Sequence, residues 1–431
     1  MVALALLAAA SIAERFAYLG SRTTLFSVLL QSPDQCSTGA AAAMTKLTVL
    51  AGLTTMVASF VGAALVLGVG PRVTAGVGAA LAALGYVVVA AGGPLLLGST
   101  VVATGAGIFR VCPYAAAAEL FSPAPSDRAD PPSPARFAMM SAFAVLIYAG
   151  ASASAGVAPV VGGALFTYGD KAGAYGAYAA VAALAALLAS GAVLVERLAV
   201  PGARPLEPSA LPYRAPAAVP RPASPSVEHA QSSLAGVTLL ASAFALWQVA
   251  ARAGATTTGL GAAPMDVIRR IHTLGTISTT LAALCLGGLL VVAVLARWTL
   301  RPVGIFGGGL AVAGLAVLVK CASETSLAAF AAGEVTASLA EASLPIGVAY
   351  AALGVPGRRS AFVIAGWLAL AYLASSVGGA VANALDAHSF RAALGVGAGL
   401  GCIAAGGATV VLRRRLHALW CAPATDRPAT P

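Results

Sequence analysis

The chain consists of long, unbroken apolar runs punctuated by single charges or by Gly and Pro breaks. Runs of this length predict helices that cross a bilayer, at about 20 residues per span. They fall at 3–30, 45–69, 73–91, 95–119, 137–162 and 173–195, and again at 234–260, 271–296, 303–319, 326–352, 361–384 and 393–412. Stretches such as Leu281 to Ala296 do not alternate, which argues against a membrane β-barrel. Between the two sets lies 197–231, rich in Pro and Ala and including Pro205, Pro208, Pro212, Pro216, Pro220, Pro222 and Pro225. That composition predicts an extended linker. Val2 to Ala10 resembles the core of a signal peptide but lacks a basic leader, and the helical pattern continues past Arg15 to Leu30. A first membrane span is therefore expected.

Composition sharpens the class. Of 431 residues, 59% are hydrophobic and 9% charged, against about 25% charged in soluble domains. So few charges cannot coat a water-soluble particle, which excludes an ordinary soluble enzyme, a nucleic-acid binder, a disulfide scaffold and a disordered chain. The net charge of +10 forms no single patch, since the basic residues punctuate apolar runs. Six cysteines show no CxxC pairing and no cluster with His, so neither metal nor cofactor is expected. Cys112, Cys285 and Cys402 read as packing residues. Cys36 and Cys321 fall at outer span ends, either unbridged or joined as a disulfide.

Six spans, a linker and six more spans is the plan of a major facilitator transporter, an all-α membrane protein whose two six-helix bundles enclose a central cavity. The expected units are an N-terminal bundle over 1–196, the linker over 197–231, a C-terminal bundle over 232–415 and a tail over 416–431. With both termini inside, 15 of the 25 Lys and Arg residues fall on inner segments and five on outer loops, Lys320 among the latter. This asymmetry predicts cytoplasmic termini, with the plasma membrane as the expected location.

The buried charges carry the functional signal. A charge at mid-bilayer costs about 2.5–3.5 kcal/mol on insertion scales, so it persists where it faces water or a partner. Glu14 and Arg15 lie near the middle of the first span, and Ser11, Glu14, Arg15, Tyr18 and Arg22 recur at helical spacing as one polar stripe. The plainer reading is an ion pair that ties helices together. Arg110 lies in the fourth span. In the tenth, Glu334 and Glu341 share one helix face about 10 Å apart, and Pro345 predicts a kink one turn later. Glu334 reads equally as a cap at the outer helix end. Arg252 binds either an anion or a carboxylate of another span, and Lys46 reads as a snorkelling residue. His229, His272, His388 and His417 all lie too near the surface for a proton relay.

The segment Glu14-Arg-Phe-Ala-Tyr-Leu-Gly-Ser-Arg22 resembles the first-helix signature of the proton-dependent oligopeptide transporter family, Glu-x-x-Glu-Arg-Phe-x-Tyr-Tyr-Gly-x-Arg. Further matches follow in chain order: Gly62 with Gly70-Pro-Arg-Val-Thr74, Gly107-Ile-Phe-Arg-Val-Cys-Pro113, Glu341 to Gly347, and Trp367 with Gly378. The run Met44 to Thr55 is similar to the plant nitrate/peptide branch. Three departures stand out. Ser11 replaces the first glutamate, and a hydroxyl does not titrate near neutral pH. The acid of the loop between spans two and three is missing, with Val66 near its place. Arg110 replaces a lysine and keeps the charge, but arginine does not deprotonate.

The resemblance implies proton-coupled symport of small peptides or nitrate-like anions by alternating access, with coupling weakened by Ser11. Glu14, Arg15 and Glu341 are the implied proton-coupling residues. Tyr18, Arg22, Arg110, Trp247, Gln248, Glu334, Glu341 and Trp367 are the implied substrate contacts. A positive N-terminal side and a negative C-terminal side suit a zwitterion, whereas an anion would use the positive side alone. The alternatives are an uncoupled facilitator or exporter, and a non-transporting receptor or scaffold.

Overall fold

A computed structural model describes residues 2–30, 37–121, 134–168, 170–199, 240–249, 265–296, 301–322, 326–353, 357–384 and 388–420. The described residues contain no strand. In the N-terminal half the helices are α1 (Val2–Leu30), α2 (Ser37–Val69), α3 (Pro71–Ala90), α4 (Leu95–Phe121), α5 (Pro134–Tyr168) and α6 (Lys171–Ala199). The C-terminal half has α7 (Leu240–Val249), α8 (Met265–Leu295), α9 (Pro302–Ala322), α10 (Leu327–Glu341), α11 (Ile346–Leu353), α12 (Ser360–Ala384) and α13 (His388–Trp420). Among the described residues, ten stretches are long and apolar enough to cross a membrane, with α10 and α11 forming one interrupted span. Large residues such as Leu187, Leu198, Leu295 and Val411 are exposed on outer helix faces, as a protein solvated by lipid requires.

Local chemistry sets the helix ends. Gly70 has φ 89° and precedes Pro71 at the first position of α3, so a residue free to adopt positive φ is followed by one preset for a helix start. Ser326 caps α10 by accepting from the Ala329 amide at 3.3 Å. At the other end of α10 the helical ladder breaks. Ser343, Leu344, Ile346, Gly347 and Val348 each donate to the carbonyl three residues back, where Pro345 has no amide to offer. The kink expected at Pro345 is a full interruption, and Glu341 is the last residue before it.

Glycines set how closely helices approach. A Cβ at Gly62 of α2 would lie 2.7 Å from the Ile108 carbonyl oxygen and 2.8 Å from its Cα. Gly107 of α4 lies as close to Thr55 and Ala58 of α2. The α3/α4 contact uses Gly78, Gly85 and Gly105; the α9/α13 contact uses Gly307, Gly314, Gly399 and Gly406. Among the described residues, the two most extensive seams between the halves are α2 against α12 and α5 against α8. In span order these are two against eleven and five against eight, which exchange when six is added to or subtracted from each number.

Some expectations need correction. Lys320 is not a loop residue; it sits in the last turn of α9 and is buried. Cys285 is exposed on α8 and does not pack inside, while Cys112 and Cys402 are buried. Lys46, by contrast, is exposed at the start of the Lys46–Val69 apolar segment of α2, as a snorkelling residue requires. The linker from 200 onward, Cys36, His229 and Arg252 lie outside the described residues, as does the seventh span apart from α7.

Candidate functional site

The polar stripe of α1 turns inward. Ser11, Glu14 and Ser21 are buried, with Tyr18 at 9% exposure. Gly62 and Gly107 hold α2 and α4 in backbone contact, and this fixes where Arg110 of α4 points. Its side chain is 2% exposed and its Nη2 donates to Glu14 Oε1 at 3.1 Å. Nη1 donates to the Tyr372 hydroxyl of α12 at 2.6 Å. The guanidinium carbon stands 4.2 Å from the centre of the Tyr18 ring and 5.5 Å from that of Tyr372. A carboxylate, a phenol and two aromatic faces thus replace the water that this buried cation has lost.

Two more arginines border this centre. Arg15 Nε is 3.9 Å from Glu14 Oε2, an oxygen that accepts no hydrogen bond. Arg15 also lies within Coulombic range of Tyr114, Tyr148 and Tyr372. Arg22 stands 5.7 Å from the Tyr18 ring, so two guanidinium groups share one aromatic residue. Beyond Tyr18, a cavity of roughly 40 Å³ opens within the N-terminal half, bordered by Ser21, Arg22, Thr48, Tyr86 and Tyr175.

On the C-terminal side Glu341 sits at the α10 break and accepts from the Tyr148 hydroxyl of α5 at 3.2 Å. The same phenol interacts with Ser152. Glu334 points elsewhere: it is ion-paired with Lys320 of α9 and lies against Gly275 of α8. It therefore braces three helices of one half and does not cap the helix end. Trp367 stacks on Phe244 at 5.5 Å and meets Phe306 edge-on at 6.5 Å, within the apolar core. Trp247 is fully buried in the same core and Gln248 is half-buried beside it. The structure thus brings Glu14, Arg15, Tyr18, Arg22 and Arg110 together, ties Glu341 to Tyr148 of the N-terminal half, and places Glu334, Trp247 and Trp367 in the framework. Tyr114, Tyr148 and Tyr372 were not singled out from sequence. Their one signal is a phenol deep inside an apolar run, away from the membrane interface where tyrosine is usual.

A second set of charges ties the halves at the end that carries the basic turns. Glu119 of α4 meets Arg72 of α3 at 3.7 Å and Arg358, from the turn before α12, at 3.0 Å. Arg72 also meets Glu196 of α6 at 2.8 Å. Arg358 further donates to the Leu67 carbonyl at 3.4 Å and lies against Gly70. Beside this turn Glu119 and a backbone carbonyl of α2 serve as the acceptors for Arg358. Exposed ion pairs are individually weak, about 0–1 kcal/mol. Reversing the charge with Glu119→Arg sets like charges together, and is expected to raise thiol labelling of a cysteine placed at the buried Val66 severalfold by opening this end. Unchanged labelling would show that apolar contacts alone close it.

No family model matches the sequence, and no curated protein matches it. Solved structures do match in shape. A peptide transporter, POT, in complex with alafosfalin aligns over 97% of this chain and 95% of its own, with TM-score 0.62 and 17% identity. A POT family transporter in complex with a thioalcohol-conjugated peptide aligns over 96% of each chain, with TM-score 0.62 and 15% identity. FucP, a major facilitator superfamily transporter in its outward conformation, aligns over 95% of this chain and 98% of its own, with TM-score 0.64 and 14% identity. The chain has the major facilitator fold, and its apolar helices make it a multi-pass membrane protein.

Proposed function

We propose that this protein is a secondary transporter of the oligopeptide type that moves a small zwitterion, such as a short peptide, by alternating access. One observation carries the reading. Each half contributes an ion held by a phenol of the other half: Arg110, paired with Glu14, is held by Tyr372, and Glu341 by Tyr148. The substrate carboxylate goes to Arg110, with Arg22 and Tyr18 beside it, and its ammonium group goes to Glu341. Gln248 is assigned as a neutral contact from the seventh span. Protons drive uptake through Glu14 and Glu341, with Arg15 adjusting the charge of both. The basic end faces the cytoplasm, in the plasma membrane. The neighbouring transporters with bound alafosfalin and conjugated peptide support a peptide-like substrate over nitrate.

The test is uptake of Ala-Ala into liposomes holding the purified protein. With an acid exterior, accumulation against the peptide gradient is expected. Glu341→Gln is expected to abolish accumulation and to weaken peptide exchange, since the ammonium group loses its carboxylate; accumulation unaffected by the change would refute the assignment. Ser11 favours a second reading, an uncoupled facilitator, because a buried hydroxyl takes the place of a titratable acid. Gradient-independent flux would identify that case, and absence of flux a receptor or scaffold.

A further inference from the structure

We infer that Tyr148 and Tyr372 are a matched pair of internal stand-ins for substrate, each holding one charged group of the opposite half until a zwitterion displaces both. The inference rests on the transporter reading for the identity of the ligand, but its central claim concerns the empty protein.

The pairing follows from the repeat. Pro71 opens α3 and Pro302 opens α9, 231 residues later; the same offset of 231 separates Arg110 from Glu341. Spans four and ten therefore carry a cation and an anion at equivalent positions. Their phenol partners exchange in the same way. Arg110 of span four reaches Tyr372 of span eleven at 2.6 Å, and Glu341 of span ten is reached by Tyr148 of span five at 3.2 Å. Tyr148 lies fourteen residues beyond the start of α5 and Tyr372 twelve beyond the start of α12. Both contacts cross between the halves.

The choice of tyrosine has a chemical reason. A phenol accepts from a guanidinium and donates to a carboxylate, so one residue type can occupy both ends of a dipolar site. It does so without charge. A cross-half Arg–Glu pair would be far harder to break at this depth, whereas a neutral partner yields to a charged one. A carboxylate arriving at Arg110 takes the place of the Tyr372 oxygen. An ammonium arriving at Glu341 takes the place of the Tyr148 hydroxyl. A ligand with one charge releases one tie, and a zwitterion releases both, so the halves are freed to rearrange by the dipolar ligand alone.

The experiment uses the full-length protein and three probes: Ala-Ala, N-acetyl-Ala-Ala, which lacks the cation, and Ala-Ala-amide, which lacks the anion. A tyrosine that only binds substrate would weaken binding when its hydroxyl is removed; a stand-in has the opposite sign. Tyr372→Phe is expected to tighten N-acetyl-Ala-Ala about tenfold, on the scale of one hydrogen bond to a charged group, and to leave Ala-Ala-amide unchanged. Tyr148→Phe is expected to tighten Ala-Ala-amide and leave the acetylated peptide unchanged. Ala-Ala should tighten in both. In the ligand-free double variant, amide hydrogen exchange over 342–347 should rise severalfold, because Glu341 loses its tie to α5. Weaker binding in either variant, or exchange equal to the parent, would overturn the proposal. If exchange rises but none of the probes binds even the parent protein, the internal ties stand and the peptide-transporter reading falls.

Discussion

Arg110→Leu is expected to abolish uptake and to destabilise the folded protein by about 3–5 kcal/mol, the cost of leaving a buried partner uncompensated. The partner is Glu14, 3% exposed, whose Oε1 loses its donor while Oε2 already has no hydrogen bond. Removing both charges with Glu14→Gln and Arg110→Leu should recover much of that stability without restoring uptake, since two neutral groups no longer need one another. Arg110→Lys keeps the charge but cannot reach Glu14 and Tyr372 together from one planar group. It should fold and transport at least tenfold more slowly. Thermal unfolding in detergent, measured beside liposome uptake, separates the two effects. If Arg110→Leu were as stable as the parent, the ion pair would not hold the centre together.

Gly62→Val should be nearly as damaging, although residue 62 touches no charged group. Its Cβ would meet the carbonyl oxygen and Cα of Ile108, and backbone cannot move aside as a side chain can. Overpacking of this kind costs about 1–3 kcal/mol. Here it also pushes α4 away just two residues before Arg110, so the 3.1 Å bond to Glu14 lengthens. Loss of uptake together with lowered thermal stability is the expected result. Gly68→Ala on the same helix is the control: a Cβ there meets nothing within 4 Å, and the variant should behave as the parent. Equal behaviour of the two variants would mean that close approach of α2 to α4 does not position the site.

Several elements were open to reading in one dimension. A span in lipid must satisfy its own backbone hydrogen bonds, so the length of an apolar run suffices to define it. The predicted 73–91 and 303–319 are close to α3 and α9 for this reason. Pro345 foretold irregularity in the tenth span through its missing amide. The stripe of Glu14, Tyr18 and Arg22 was visible because helical spacing alone puts residues on one face. Lys320 shows the limit of such reading. Its position near a span end suggested a loop, and only the packing of α9 against α10 reveals a buried cation held by Glu334.

By itself, then, the sequence determined the solvent of this protein, the lie of its spans and the small set of ions that must find partners. Tertiary structure decided who those partners are. Arg110 meets Glu14 across 96 residues of chain and Tyr372 across 262, separations over which no periodicity persists. Tyr148 and Tyr372 acquire meaning only once two halves are set face to face. A phenol in an apolar run carries no charge that demands company, so nothing local distinguishes a packing tyrosine from one that holds an ion of the opposite half.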